Sequence, residues 1–345
     1  MKGPITFADF MENALYDPDE GFYSRMPVGE QGHFVTSPHL SPVFGRLAAR
    51  QVADLWELLG RPDPFHVVEV GAADGTLARQ ILEALPAETR RTLRYTAVER
   101  SQRGRTTIRD GGLDAVASLD EISGPVVGCV LANELLDNLP FHRLRGAPGA
   151  PVELFVGVES DRFILVEGPP SSGEVAALCP ALPPGREFVV SPAAIEFIHR
   201  VGALLERGYV WLVDYGFADQ SEARSVHGYR DQRVHDDVLA EPGSTDITAG
   251  VDFVALVEHA RSEGLQVWGP VSQRDALLAL GFRELDERAR ARQVEALNER
   301  RGVDALRIYS NRNRANLLLG RVGAGASWVL GLGKNAAGTP LSFRR

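Results

Sequence analysis

Small residues and one acid follow an apolar run near residue 70, and their spacing suits the binding of a cofactor. The apolar run 67–70 leads into the loop 71–75, of sequence Gly-Ala-Ala-Asp-Gly, and a helical pattern follows over 76–85. A strand, a tight turn and a helix N-terminus in this order are typical of sites for nucleotide-type cofactors. Three small residues would let the backbone approach such a ligand closely: Gly71, Ala73 and Gly75.

The acid in this loop separates the candidate cofactors. Dinucleotide-binding loops place a diphosphate at the helix N-terminus, where the carboxylate of Asp74 would repel it. A carboxylate suits a cationic or zwitterionic ligand, and S-adenosylmethionine (SAM) carries a sulfonium and an ammonium but no phosphate. Glu99 ends the next predicted strand and can accept both hydroxyls of a ribose, while Asp120 would reach the adenine. The pattern therefore predicts a SAM site.

A third predicted strand, over 126–132, ends in polar residues that could position a methyl acceptor. Asn133 offers a carbonyl oxygen, and Glu134 and Asp137 offer negative charge. In an open α/β sheet the carboxyl ends of the strands face the ligand. These groups could orient an amine or a guanidinium for in-line attack, mostly by positioning and charge complementarity. For Asp137, the capping of a following turn is an equally compatible role.

The elements that would hold these residues alternate along the chain. Strand patterns lie at 65–71, 93–99, 126–132 and 209–215, and helical patterns lie at 76–85, 101–110 and 193–207. Such alternation predicts an α/β fold with a mostly parallel sheet that is covered on both faces. We expect a helical cap over 1–64 and a SAM-binding domain over 65–345. Two insertions interrupt this domain, a β-rich one at about 141–190 and a polar loop at about 217–248.

Composition and charge exclude several classes of function. The chain of 345 residues has a formal net charge of −9 and a pI of about 5.5, so it lacks the basic character of nucleic-acid-binding proteins. No apolar run approaches the roughly 20 residues of a membrane span. The N-terminus lacks the apolar stretch of a signal peptide, and two cysteines form no metal-ligand pattern. We expect a cytoplasmic protein with no metal ion and no nucleic-acid or membrane partner.

A series of motifs along most of the chain resembles one protein family. The motifs are Pro4 to Met11, Tyr16 to Pro18, Gly21 to Tyr23, Gly32 to Pro38, Glu69 to Leu77, Glu99, Asn133 to Pro140, Asp214 to Gly216, Gly228 to Arg230, Pro242-Gly243, Asp246 to Thr248, Val251 to Phe253 and Gln273. They resemble the MidA-like family of class I SAM-dependent methyltransferases. This family includes the mitochondrial complex I assembly factor that methylates a protein arginine.

The resemblance implies a Rossmann-like methyltransferase sheet with an N-terminal helical cap and added substrate-binding elements. It implies that SAM contacts four residues: Glu69, Gly71, Gly75 and Glu99. It places three residues beside the transferring methyl: Asn133, Glu134 and Asp137. Asp214 and Tyr215 would lie at the next strand end, on the acceptor side. Tyr229 and Arg230 lie in a polar stretch that forms either a lid or acceptor loop, or an ordinary surface loop.

Some positions depart from the family pattern. Ala73 replaces the usual middle glycine, a small change that SAM sites tolerate. The family usually has Asp at the position of His33, Ala at that of Ser37, Glu at that of His39 and a polar residue at that of Gly250. These positions lie in loops expected to shape the acceptor pocket, so the acceptor is either a protein arginine or a small-molecule amine or guanidine. Another SAM-dependent reaction, a non-catalytic assembly role and a homodimer also stay open.

Overall fold

Strands and helices alternate through the residues that the computed structural model describes, which are 3–25, 36–222, 226–230 and 233–344. The strands, in chain order, are β1 Phe65–Val70, β2 Leu93–Val98, β3 Asp114–Val116, β4 Val126–Asn133, β5 His142–Arg145, β6 Val152–Glu159, β7 Arg162–Gly168, β8 Glu187–Val190, β9 Leu205–Asp214, β10 Gly216–Phe217, β11 His227–Arg230, β12 Arg233–His235, β13 Asp246–Thr248, β14 Val251–Asp252, β15 Gln266–Ser272 and β16 Trp328–Lys334. The helices are α1 Phe7–Tyr16, α2 Phe22–Arg25, α3 Ser37–Leu40, α4 Pro42–Leu58, α5 Thr76–Ala84, α6 Ala87–Thr92, α7 Gln102–Asp110, α8 Gly173–Leu178, α9 Pro192–Leu204, α10 Phe253–Ser262, α11 Gln273–Ala279, α12 Phe282–Asn298 and α13 Gly302–Leu317. Within these residues, no helix combines the length and the apolar character that a bilayer crossing needs.

Seven strands form the central sheet, in the spatial order β3-β2-β1-β4-β9-β16-β15. The five strands from β3 to β9 are parallel, and β16 runs antiparallel to both of its neighbours. From β1, the chain adds β2 and β3 on one side of the sheet and then returns to add β4 on the other side. This reversal places the ends of β1 and β4 at the switch point where open α/β sheets bind ligands. The predicted α/β fold with a mostly parallel sheet is confirmed.

Apolar strand residues fill the core on both faces of the central sheet. Along β4, Cys129 and Leu131 pack on one face, whereas Val126 and Val130 pack on the other. All four side chains are buried. Burial on both faces explains why such strands appear in the sequence as nearly continuous apolar runs. Each large aliphatic side chain buried here stabilises the fold by roughly 1.5–3 kcal/mol.

The helices before β1 pack against two different parts of the molecule. Phe7 and Phe10 of α1 join a cluster with Val156 of β6 and Ile247 of β13. Helix α4 packs instead against α5 and the central sheet, through residues such as Phe44. Strand β1 begins at Phe65, directly after the predicted helical cap over 1–64. The division of the chain into this cap and a SAM-binding domain stays a prediction.

Two smaller antiparallel sheets interrupt the central alternation. The first, β7-β6-β5-β8, occupies most of 141–190 and pairs with Ile5 through a bridge to Val156. The second, β12-β11-β13, lies within 217–248, where the polar sequence predicts a loop. The described part of that stretch contains strands because β11 finds partners on both sides, in β12 and β13.

Candidate cofactor and acceptor site

The loop after β1 turns through three residues with left-handed backbone. Gly71, Ala73 and Gly75 have φ values of +75°, +52° and +76°. The positive φ of Gly71 favours glycine there, and a Cβ atom would also lie 2.9 Å from Leu135 Cδ1, so that this side chain would have to shift. The loop thereby presents small residues to the switch point, directly before α5.

Glu99, which follows β2, holds this loop and the start of α7. Its Oε2 accepts a hydrogen bond from Ala73 N at 2.8 Å, and its Oε1 accepts one from Ser101 N at 2.7 Å. Burial raises the pKa of the Glu99 carboxyl, and the two amide bonds oppose that rise. Each carboxylate oxygen has a second lone pair. The ribose contact predicted for Glu99 is therefore compatible with this geometry.

Asp74 does not present a free carboxylate to the switch point. Its Oδ2 lies 3.2 Å from His39 Nε2, and its Oδ1 accepts a hydrogen bond from Thr76 N at 2.9 Å. Burial acts to raise the pKa of the Asp74 carboxyl, but the bonds from His39 and Thr76 outweigh it and hold this pKa at about 2. The carboxylate expected to face a cationic ligand is thus paired within the protein.

Glu69 is buried within β1, near the end of the strand. Its side chain is 3% exposed, and its Oε2 accepts a hydrogen bond from the hydroxyl of Tyr95 at 2.7 Å. Burial raises the pKa of the Glu69 carboxyl to about 7, although the bond from Tyr95 lowers it. A cation bound nearby would stabilise the ionised form.

The end of β4 brings Asn133 and Glu134 together. Glu134 has a φ of +53°, and its Oε1 accepts hydrogen bonds from Ser37 N at 2.8 Å and Asn133 Nδ2 at 3.2 Å. Burial raises the pKa of the Glu134 carboxyl to about 7. Asn133 Oδ1 is buried without a hydrogen-bond partner among the described residues. An unpaired buried acceptor is costly, so it suits a ligand that brings a donor.

Asp137 and Asp214 form a buried pair of acids beside Glu134. Asp214 Oδ2 accepts hydrogen bonds from Leu135 N at 3.0 Å and Leu136 N at 2.6 Å, and its Oδ1 accepts one from Tyr215 N at 2.8 Å. Burial raises the pKa of both carboxyls, and the charge of Asp137 raises that of Asp214 further. Each of the two carboxylates therefore disfavours the ionisation of the other.

The remaining contacts of Asp137 tie it to β13. Its Oδ2 accepts a hydrogen bond from Thr248 Oγ1 at 2.8 Å, and its backbone oxygen accepts one from Ala249 N at 3.3 Å. Its Oδ1 is buried and, within the part of the chain that the structure describes, unpartnered. This geometry is compatible both with a structural role of Asp137 in the turn and with a role toward a ligand.

The sequence motifs gave no role to another buried acid, Asp246 of β13. Its Oδ1 accepts hydrogen bonds from the hydroxyl of Tyr23 at 2.8 Å and from Asn138 Nδ2 at 2.9 Å. Burial, and then the charge of Asp137, raises the pKa of the Asp246 carboxyl well above its usual range. Tyr23, Asn138 and Asp246 all lie in motifs of the family pattern. This shared membership was the signal by which the sequence could have pointed to Asp246.

The other predicted site residues are spread more widely. Tyr215 follows β9, and Tyr229 of β11 pairs with Asp246 of β13 in register. Arg230 is bonded to Glu241 at the surface. Asp120 is exposed and accepts a hydrogen bond from Arg200 at 2.7 Å, so its adenine contact remains a prediction.

Two further expectations concern metal ions and the loop before α3. Among the residues described, no three His, Cys, Asp or Glu side chains are grouped to hold a metal ion. His33, one of the departures from the family pattern, lies outside the described residues.

Comparison with known proteins identifies the family. Residues 47–271 match the model of a family described as "Putative S-adenosyl-L-methionine-dependent methyltransferase". A solved protein from Burkholderia thailandensis with bound S-adenosylhomocysteine (SAH) is 26% identical, with a TM-score of 0.84 over 99% of this chain and 91% of that chain. A native structure of a protein from the same organism is 28% identical, with a TM-score of 0.81.

Curated relatives are named as enzymes that methylate arginine. A mitochondrial protein arginine methyltransferase of Drosophila melanogaster is 30% identical over 79% of this chain and 70% of its own length. The mouse protein is 29% identical over 81% of this chain and 71% of its own length. The expectation of a cytoplasmic location is wrong on this comparison, because the fly, mouse and human relatives are all named as mitochondrial proteins.

Proposed function

Because this chain belongs to the family of SAM-dependent methyltransferases, we propose that it methylates a nitrogen of a guanidino or amine group, on a protein arginine or a small molecule. The observation that carries the proposal is the Glu134 carboxylate at the end of β4, whose pKa burial raises to about 7. A base with a pKa near the working pH is effective in proton transfer. The names of the fly and mouse relatives support a guanidino acceptor.

The residues around the β1 loop fit SAM. Gly71, Ala73 and Gly75 would let its methionine end approach the backbone, and Glu99 would hold its ribose. The unpaired Oδ1 of Asn133 supports this fit, since it can accept a bond from an ammonium or from the acceptor nitrogen. When bound, SAM supplies an electrophilic methyl group on its sulfonium.

On the acceptor side, the buried carboxylates would attract a cationic acceptor, and one of them would receive a proton from it. Glu134 would take the proton that the acceptor nitrogen loses as its bond to the methyl carbon forms, while the carbon–sulfur bonding pair stays on sulfur. Asp137 and Asp214 lie beside Glu134, and their ionised carboxylates would add to the attraction for a guanidinium. Tyr215 and Tyr229 would border the acceptor.

The proposal is tested by supplying SAM with two simple acceptors, N-acetyl-L-arginine amide and N-acetyl-L-lysine amide. Mass spectrometry should find SAH together with a methylated acceptor, with arginine preferred if the guanidino group is the target. Methylthioadenosine in place of SAH would contradict methyl transfer. Binding of neither SAM nor SAH in calorimetric titration would contradict the cofactor assignment.

Glu99→Ala is expected to weaken SAH binding. The change removes the ribose acceptor and releases Ala73 N, and a hydrogen bond to a charged group contributes about 1.5–3 kcal/mol, or roughly 10- to 150-fold in Kd. Isothermal titration of SAH measures the effect. Glu121→Ala is the control, since Glu121 also accepts a hydrogen bond from a backbone amide, that of Ala117, shortly after the neighbouring strand β3. Equal Kd values for Glu99→Ala and the control would contradict the role of Glu99.

A further inference from the structure

Helix α3 lies between the cofactor loop and the Glu134 carboxylate and bonds to both. At its start, Ser37 N donates to Glu134 Oε1 at 2.8 Å. Two residues later, His39 Nε2 lies 3.2 Å from Asp74 Oδ2. The loop 71–75 and the end of β4 are therefore joined through a few residues of chain.

The imidazole of His39 is fixed on both sides. Its Nδ1 lies 2.6 Å from Thr36 Oγ1, while its Nε2 faces the Asp74 carboxylate, and its side chain is only 7% exposed. A carboxylate with a pKa of about 2 is an acceptor only, so Nε2 carries the hydrogen in this contact. His39 therefore acts as a donor that pins α3 to the cofactor loop.

The position of α3 depends on contacts of this kind. A helix of four residues, Ser37–Leu40, has too few internal hydrogen bonds to be stable alone. Among the described residues, Gln80 Nε2 also donates to Pro38 O at 2.9 Å, and Arg314 Nη2 donates to His39 O at 3.2 Å. Of these ties, the His39 bond is the one that involves the cofactor loop itself.

We infer that His39 is a positioning residue for methyl transfer: through Asp74 it holds α3 where Ser37 N fixes the Glu134 carboxylate. The inference rests on the proposed function of Glu134. Without the Ser37 bond, Oε1 of Glu134 keeps the bond from Asn133 Nδ2 at 3.2 Å. A misplacement of about 1 Å in a catalytic group can cost around 100-fold in rate.

His39→Ala is expected to lower kcat with N-acetyl-L-arginine amide about tenfold or more, and to change the Kd of SAH less than that. His39→Gln should recover most of the rate, since its amide can donate to Asp74. In the Glu134→Gln background, His39→Ala should have no further effect, because the group that it positions is already inactive. Equal effects of His39→Ala in both backgrounds would overturn the inference.

A matched control breaks another buried histidine–carboxylate pair. His142 Nδ1 lies 2.7 Å from Glu153 Oε1 in the sheet formed by β5 to β8. His142→Ala should lower the melting temperature but leave kcat per folded molecule within about twofold, since it does not touch α3. A loss of kcat in this control as large as in His39→Ala would assign the effect to general destabilisation and overturn the inference.

The titration of Glu134 is a readout that needs no acceptor. Carboxyl ¹³C NMR monitors this titration, and the signal that is missing in Glu134→Gln identifies the Glu134 carboxyl. The Ser37 bond lowers the pKa of Glu134, so His39→Ala should move the midpoint upward. The groups facing Glu134 are Asp137, Asp214 and Tyr215, which His39→Ala leaves in place. An unmoved midpoint in a protein that binds SAH would overturn this inference alone. Absence of SAH binding by the wild-type protein would overturn the proposed function as well.

Discussion

Replacing Glu134 with glutamine is expected to lower kcat for methyl transfer about 10²- to 10⁴-fold, the usual contribution of a general base. The amide oxygen can still accept the bond from Ser37 N, but the side chain can no longer take a proton. The Kd of SAH should stay nearly unchanged because the contacts of Glu99 are intact. Radiolabelled SAM with saturating N-acetyl-L-arginine amide measures kcat, and calorimetry measures the Kd.

The same carboxyl determines the expected pH dependence. Burial raises its pKa to about 7, and the base is active only when ionised. The rate should therefore rise with pH through about 7 and level off above it, whereas Glu134→Gln should lack this rise. Unchanged kcat in Glu134→Gln would contradict the role of Glu134 as the base. The same rise in both proteins would assign the titration to another group.

Asp214→Ala is expected to reduce the free energy of unfolding by about 3 kcal/mol or more. The carboxyl of Asp214 is 1% exposed and accepts hydrogen bonds from three backbone amides, those of Leu135, Leu136 and Tyr215. Each buried amide that loses its acceptor costs about 1–3 kcal/mol. Relief of the repulsion with Asp137 offsets part of this loss. Urea unfolding without ligand measures the change.

Two variants define the control for this prediction. Asp214→Asn keeps one acceptor oxygen for the backbone amides, so it should lose less stability than Asp214→Ala. Asp120→Ala removes an exposed carboxylate whose ion pair with Arg200 is at the surface, and it should change stability by about 0.5 kcal/mol or less. A loss from Asp214→Ala no larger than from Asp120→Ala would contradict the structural role of Asp214.

The central sheet was predictable because its strands are buried on both faces. Nearly continuous apolar runs such as 126–132 indicate β4 without knowledge of its partners. The boundary between α9 and β9 was less predictable: the helical pattern extends to 207, yet β9 begins at Leu205. Leu205 fits either periodicity, and its pairing with Val126 decides for the strand.

The candidate site was predictable where one motif carries several groups. Asn133, Glu134 and Asp137 follow one strand, so the topology alone places them together. The partner of Asp74 could not be read from spacing, since His39 lies 35 positions before it and the expected free carboxylate is paired. The bond between Tyr23 and Asp246 joins residues 223 positions apart, which periodicity cannot reveal.

The bond between Tyr23 and Asp246 affects the order in which the chain can fold during synthesis. Phe7 and Phe10 of α1 pack with Ile247, and Tyr23 bonds to Asp246, so these residues gain their partners in β13 only after that strand emerges. At 5–20 residues per second, the ribosome needs roughly 10–45 s to cover that distance. During this interval α1 can pack only with elements that are made earlier, such as β6 through Val156. The buried pair of Tyr23 and Asp246 is therefore completed late, and a nascent chain that stops before β13 would lack it.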